Sequence, residues 1–179
     1  LQLAIGCERC HGPGELHARE RMELSSTMAT GEIDTSIVNP AHLSESLQTA
    51  ICAQCHLSGK ERILRRERSF NEFRPGLPIE RFVTAFFAHP DAPFLNKAVS
   101  HFDQSALVKC RSAAGTPLMC TTCHDPHRVP EEQEIVGFYN KTCNDCHQSR
   151  TCSESEPVRL AKNDNCIGCH MPADPSSNI

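Results

Sequence analysis

Apolar positions in this chain come in short runs, and three of those runs are periodic. In "SESLQTAICAQCH", Leu47, Ile51 and Cys55 recur every fourth residue with Ser44 placed as an N-cap. That spacing predicts a helix ending near Gly59. In "PEEQEIVGFYNKTCNDCH", Pro130 stands at a first-turn position with acidic residues behind it. Ile135, Tyr139 and Cys143 then share one face. In "PIERFVTAFFAHP", Phe82 and Phe86 make a stripe that Pro90 stops, which reads as a third helix with a core face. His42 in "NPAHLSES" opens a helix, and His101 in "AVSHFDQ" precedes one. "FRPGLP" and "GTP" read as turns, and no stretch reads as a strand. The pattern predicts a mainly α chain with extensive loops and little or no β-sheet.

Composition changes that picture in one respect. The 179 residues are enough for one ordinary domain, yet aromatic residues make up only 5%, with no Trp and one Tyr. Large core side chains are scarce, so something other than side chains is expected to fill the interior. A net charge of -4 and the lack of a pure basic block exclude nucleic acid as a partner. The basic cluster "KERILRRER" is interleaved with Glu61 and Glu67 and reads as a solvated face. No apolar run approaches a membrane span. "LQLAIG" is too short for a signal peptide and lacks a basic leader, so the chain reads as a processed or truncated piece of a longer precursor.

Twelve Cys and ten His carry the chemistry. Ten of the cysteines fall into five copies of CxxCH: Cys7, Cys10 and His11; Cys52, Cys55 and His56; Cys120, Cys123 and His124; Cys143, Cys146 and His147; Cys166, Cys169 and His170. The motif starts lie 45, 68, 23 and 23 residues apart. Zinc sites built from CxxC pairs need two further ligands and have no use for a His directly after the second Cys. A redox dithiol occurs once, beside a strand and helix, not five times. Five chance histidines at that position have odds on the order of one in a million. CxxCH is the attachment signature of c-type heme: the thiols add to the two vinyl groups and the adjacent His ligates iron from the proximal side. The expectation is five covalently bound hemes c. Their porphyrins would supply the missing core, and 12 Pro with 9 Gly suit a loop-rich wrapping.

Five histidines remain: His17, His42, His89, His101 and His127. Their number equals that of the motifs, and each is a candidate distal ligand, the alternative being a surface or supporting role. Gly12, Pro13 and Gly14 turn the chain, which carries His17 away from its own heme toward a neighbouring iron. His127 lies three residues past His124, too close to cross to the opposite face of the same heme. Met171 follows a proximal His and cannot reach round that heme, while Met22, Met28 and Met119 read as packing residues. Cys110 and Cys152 are left over. Heme attachment belongs to oxidising compartments, so they form a disulfide candidate over the third and fourth hemes, against the alternative of two free thiols.

The motifs "CERCHGPGELH", "NPAHL" with "CAQCH", "FRPGLP", "AVSHFDQ", "CTTCHDPH" and "CIGCHMP" resemble those of periplasmic multiheme cytochromes c of environmental bacteria, including tetratricopeptide-repeat-associated ones. The CHGPG-plus-His element is similar to that of the hydroxylamine-oxidoreductase-like multiheme group. The resemblance covers nearly the whole chain. It implies a heme-cored fold with stacked bis-His hemes, electron transfer, and His17, His42, His101 and His127 as ligands. The chain departs from that family in having no repeat domain, no heme sites upstream of Cys7 and no His after "CHMP".

The expected organisation is a single pentaheme domain over 1–179. It has a two-heme part (1–60), a heme-free connector with candidate ligands (61–109) and a three-heme part (110–179). The expected function is electron transfer in the periplasm or in an extracellular cytochrome filament. Partners would be redox proteins, other multiheme cytochromes or further copies of the chain. The alternatives are a multiheme oxidoreductase with one five-coordinate heme acting on a small nitrogen or sulfur compound, or a heme module docking a catalytic subunit. No CxxCK motif is present, and Tyr139, the only Tyr, reads as packing.

Overall fold

A computed structural model describes residues 5–24, 32–59, 61–87, 100–102, 105, 110, 118–148 and 152–172. The chain divides into two compact units, Leu1–Asp103 and Gln104–Ile179.

The first unit opens with a single helical turn, α1 (Glu8–His11), then α2 (Glu15–Leu24). Gly12 separates them at φ +77° and ψ -174°, a region that is essentially glycine's alone. A 3-10 turn at Pro40–His42 follows, capped by the Asn39 side chain, which accepts from the Ala41 N–H at 3.0 Å. His42 therefore closes a short turn and does not open a helix. The helix α3 (Glu45–His56) begins behind Ser44 as its periodicity predicts, and ends three residues before Gly59.

The expected helix over "PIERFVTAFFAHP" is not formed. Ile79–Arg81 makes a 3-10 turn and Val83–Phe86 is a strand, β2, paired antiparallel with β1 (Glu61–Leu64). The register sets Glu61 opposite Phe86 and Leu64 opposite Val83. Two β-branched residues and an aromatic favour extended backbone, and "ERIL" supplies the partner that propensity alone cannot reveal. Phe82 and Phe86 consequently do not share a face: Phe82 is buried and Phe86 is 50% exposed. Pro90 lies outside the described residues. β1 and the turn after it are exposed, as expected of the basic cluster. This hairpin is the sheet of the described residues, so the fold is mainly α with little β.

The core of this unit forms where α3 meets the segment leading into β2. Ala50 and Ala53 of α3 are buried against Phe73, Ile79, Phe82 and Val83, with Leu57, Phe70, Leu77 and Phe102 around them. Phe73 and Phe82 pack edge to face, with ring centroids 5.6 Å apart. Arg62 of β1 donates to the Gln54 and Leu57 carbonyls at 3.2 and 3.0 Å. It thereby satisfies the carbonyls at the negative end of α3.

The second unit contains α4 (Cys120–Cys123), a 3-10 turn at Glu132–Glu134, α5 (Ile135–His147), α6 (Glu156–Leu160) and α7 (Cys166–His170). The acids behind Pro130 occupy the 3-10 turn, so α5 starts only at Ile135. α5 packs against α4 and α7. Among the described residues of this unit no side chain is buried. Of the methionines read as packing residues, Met119 is half-buried, Met22 is 83% exposed and Met28 lies outside the described residues. No helix of the described residues is long and apolar enough to cross a membrane.

Candidate functional site

All five CxxCH motifs fall on helical turns. The first and fifth take up α1 with its N-cap Cys7, and α7. The second and fourth occupy the last turns of α3 and α5. In the third, α4 holds both cysteines and His124 follows as its cap residue. A helix turns once in 3.6 residues, so thiols at i and i+3 and an imidazole at i+4 lie on one face. The sequence thus sets two thiols and an imidazole on one helical turn in four motifs from local geometry alone, and in the third His124 follows the turn in extended backbone.

The motifs are joined by side chains the sequence did not single out. The Arg9 carbonyl in α1 has no helical donor, because the residue four positions on is Pro13. Gln54, buried in α3, supplies that donor: its Nε2 bonds the Arg9 oxygen at 3.0 Å and the Ile51 oxygen at 2.8 Å. This ties the second motif to the first. In the second unit, Asn140 of α5 donates to the Asp164 carbonyl at 2.8 Å and accepts from the Cys166 N–H at 3.2 Å. Asn163 and Asp164 both take left-handed backbone just before the fifth motif, a conformation these two residue types tolerate. The Tyr139 hydroxyl lies 3.2 Å from His124 Nδ1, joining the helix of the fourth motif to the third.

The thiols are brought together in the same groupings. Partial desolvation of the sulfur pushes the Cys10, Cys123 and Cys143 thiols up from their ordinary value, and a neighbouring cysteine adds to it in each case. The neighbours are Cys55 for Cys10, Cys110 for Cys123 and Cys166 for Cys143. The expected Cys110–Cys152 bridge is not made: both are free, exposed thiols. Cys110 stands within electrostatic reach of Cys123 and Cys143, so it belongs with the third and fourth motifs.

The histidines fall into three groups. His11 Nδ1 lies 2.9 Å from the Val38 carbonyl, which only accepts, so Nδ1 carries the proton and Nε2 the lone pair. His17 is in the same state: its Nδ1 is 3.0 Å from Asp34 Oδ2 and 3.3 Å from the Ser36 hydroxyl. His56 and the candidate distal His101 are brought together, with Nδ1 atoms 3.3 Å apart and rings edge to face. His42 and His127 are exposed. The His127 N–H donates to Asp125 Oδ1 at 2.9 Å in a tight turn. His147 and His170 close their helices, exposed. His89 lies outside the described residues.

Asp34 is the most strongly perturbed acid among the described residues. The hydroxyl and N–H of Ser36, and then Arg21, hold its carboxyl well below the usual carboxylate range. No sequence signal connects it with His17, seventeen residues away.

Among the described residues no three His, Cys, Asp or Glu side chains converge as a metal-ion cage. Heme c asks for a different donor set: two thiols and an imidazole on one face, with that imidazole's second nitrogen held by a hydrogen bond. The residues fit this set. Each motif brings two thiols and an imidazole to a helical turn, and at His11 the second ring nitrogen, Nδ1, is held by the Val38 carbonyl. No protein-family model matches the chain, and no curated protein or solved structure is similar to it.

Proposed function

We propose that the chain is a pentaheme cytochrome c that passes electrons along closely spaced hemes outside the cytoplasm. The observation that carries this reading is the fivefold CxxCH constellation on helical turns. The cysteine pairs 7/10, 52/55, 120/123, 143/146 and 166/169 hold the groups as thioethers. His11, His56, His124, His147 and His170 supply the proximal nitrogen to iron. His17, His42, His89, His101 and His127 are the distal candidates. When bound, the hemes supply the one-electron Fe(III)/Fe(II) couple.

The thin core supports the same reading. In the second unit Ile135, Val136, Phe138 and Ile167 are only half-buried, and Val158 and Leu160 are 47% and 59% exposed. Apolar surface of that kind calls for an apolar body to pack on. Gln54, Asn140 and Tyr139 tie successive motifs together, as a transfer chain with short steps requires. Two imidazoles per iron leave no open position for a substrate, which favours electron passage over substrate chemistry. Attachment to cysteine pairs belongs to an oxidising compartment, and other redox proteins, multiheme cytochromes or further copies in a filament are the partners that suit such a chain.

Denaturing mass spectrometry tests the reading: five hemes add about 3 kDa to the polypeptide. An unmodified mass ends it. Electron paramagnetic resonance of the oxidised protein then separates carrier from enzyme. Low-spin ferric signals throughout fit the carrier, whereas a high-spin heme that binds cyanide or nitric oxide marks a multiheme oxidoreductase.

A further inference from the structure

Two histidines of the first unit are held by the same short segment, but by different acceptors. His11 meets a neutral carbonyl, that of Val38, at 2.9 Å. His17 meets a carboxylate, Asp34 Oδ2, at 3.0 Å. The carboxylate is oriented on both of its oxygens. The Ser36 N–H donates to Oδ1 at 2.9 Å and the Ser36 hydroxyl donates to it as well. Oδ2 accepts from the Arg21 guanidinium in addition to His17. Arg21 sits four residues after His17 on α2, so one helix face presents both donors to one acid. The Asp34 side chain is 19% exposed, so water competes weakly for it.

The two acceptors do different things to an imidazole. A carboxylate draws the Nδ1 proton more strongly than a carbonyl does and leaves more electron density on Nε2. A more basic axial nitrogen stabilises ferric over ferrous iron, which lowers the reduction potential.

We propose that Asp34 is a positioning residue that makes His17 an electron-rich axial ligand and lowers the potential of the one heme His17 ligates. This rests on the reading of the chain as a multiheme cytochrome with His17 among its ligands. Arg21 and Ser36 serve to keep the carboxylate turned toward the ring.

The test uses the heme-loaded protein and compares wild type, Asp34→Asn, Ser36→Ala and His17→Ala. The readouts are redox titration, electron paramagnetic resonance and heme count by mass. Asp34→Asn is expected to raise one potential of the five and shift the g values of one low-spin signal. A tenfold change in that heme's ferrous-to-ferric ratio corresponds to about 59 mV. Ser36→Ala moves the same heme in the same direction by less, and it serves where Asp34→Asn fails to fold. If His17→Ala alters one heme while Asp34→Asn and Ser36→Ala alter none, His17 is a ligand and the role given to Asp34 is wrong. A raised potential with unchanged g values also overturns it, since the lost charge would then act through space and not through the ring. If no variant alters any heme, the assignment of His17 falls first. A mass without heme removes the cytochrome reading itself.

Discussion

Replacing Gln54 with Leu separates a structural link from simple packing. Gln54 is 7% exposed, and its Nε2 makes both the 3.0 Å bond to Arg9 and the 2.8 Å bond to Ile51. Leu has a similar volume, so the substitution opens little cavity. The bond to Ile51 is local to α3. The bond to Arg9 spans 45 residues and replaces the donor that Pro13 lacks. Losing a net hydrogen bond costs about 1 kcal/mol, and stranding the Arg9 acceptor brings the total to about 2 kcal/mol. That is roughly a thirtyfold change in the folding equilibrium. With a urea dependence of about 1.5 kcal/mol per molar, the midpoint of the first unit should fall by about 1 M. Far-UV circular dichroism of the loaded protein against urea measures it. Gln148→Leu, at an exposed position, is the control and should stay within about 0.5 kcal/mol of wild type. If Gln54→Leu unfolds together with that control, the side chain does not join the two motifs.

Two glycines should respond in opposite directions. Gly12→Ala forces a side chain into backbone that only glycine adopts freely and should destabilise the first unit by about 1–3 kcal/mol. Gly137→Ala, inside α5 with nothing near the new methyl, should stabilise the second unit by about 0.4–1 kcal/mol. Urea midpoints read both. Alkylation of the loaded, denatured protein without reductant should add two labels, on Cys110 and Cys152, which are free here; no label would restore the disulfide. Glu134 has its carboxyl held below the ordinary range by the Glu131 N–H and then by Arg128. The folded state therefore binds fewer protons than the unfolded one. The contribution is complete above the ordinary glutamate value and is lost as pH falls through the depressed one. The stability gap between wild type and Glu134→Gln should be full above the ordinary glutamate value and close as pH falls below it.

The five CxxCH turns could be read directly, because cysteines and histidine at i, i+3 and i+4 need nothing beyond one turn of helix. The start of α3 at Ser44 was equally legible, being set by a cap and a period within a dozen contiguous residues. "PIERFVTAFF" departs from its local pattern for the opposite reason. A Phe stripe four residues apart is compatible with a helix, and only the distant segment Glu61–Leu64, paired in a defined register, makes it a strand. Its backbone groups found partners that no local window contains. Cys110 and Cys152 are free thiols here, and a count of leftover cysteines says nothing of which neighbours the fold provides.

The chemistry of this chain is local, and so it stands written in the sequence: five thiol pairs, each with its imidazole. How the sites are connected is not local. Gln54 reaching the carbonyl that Pro13 leaves unserved, Asn140 bridging to Asp164 and Cys166, and Asp34 holding His17 all join residues far apart along the chain. Such contacts exist only after the chain has closed its loops, because one residue type at one position has many possible partners until the fold brings a single one within hydrogen-bonding distance.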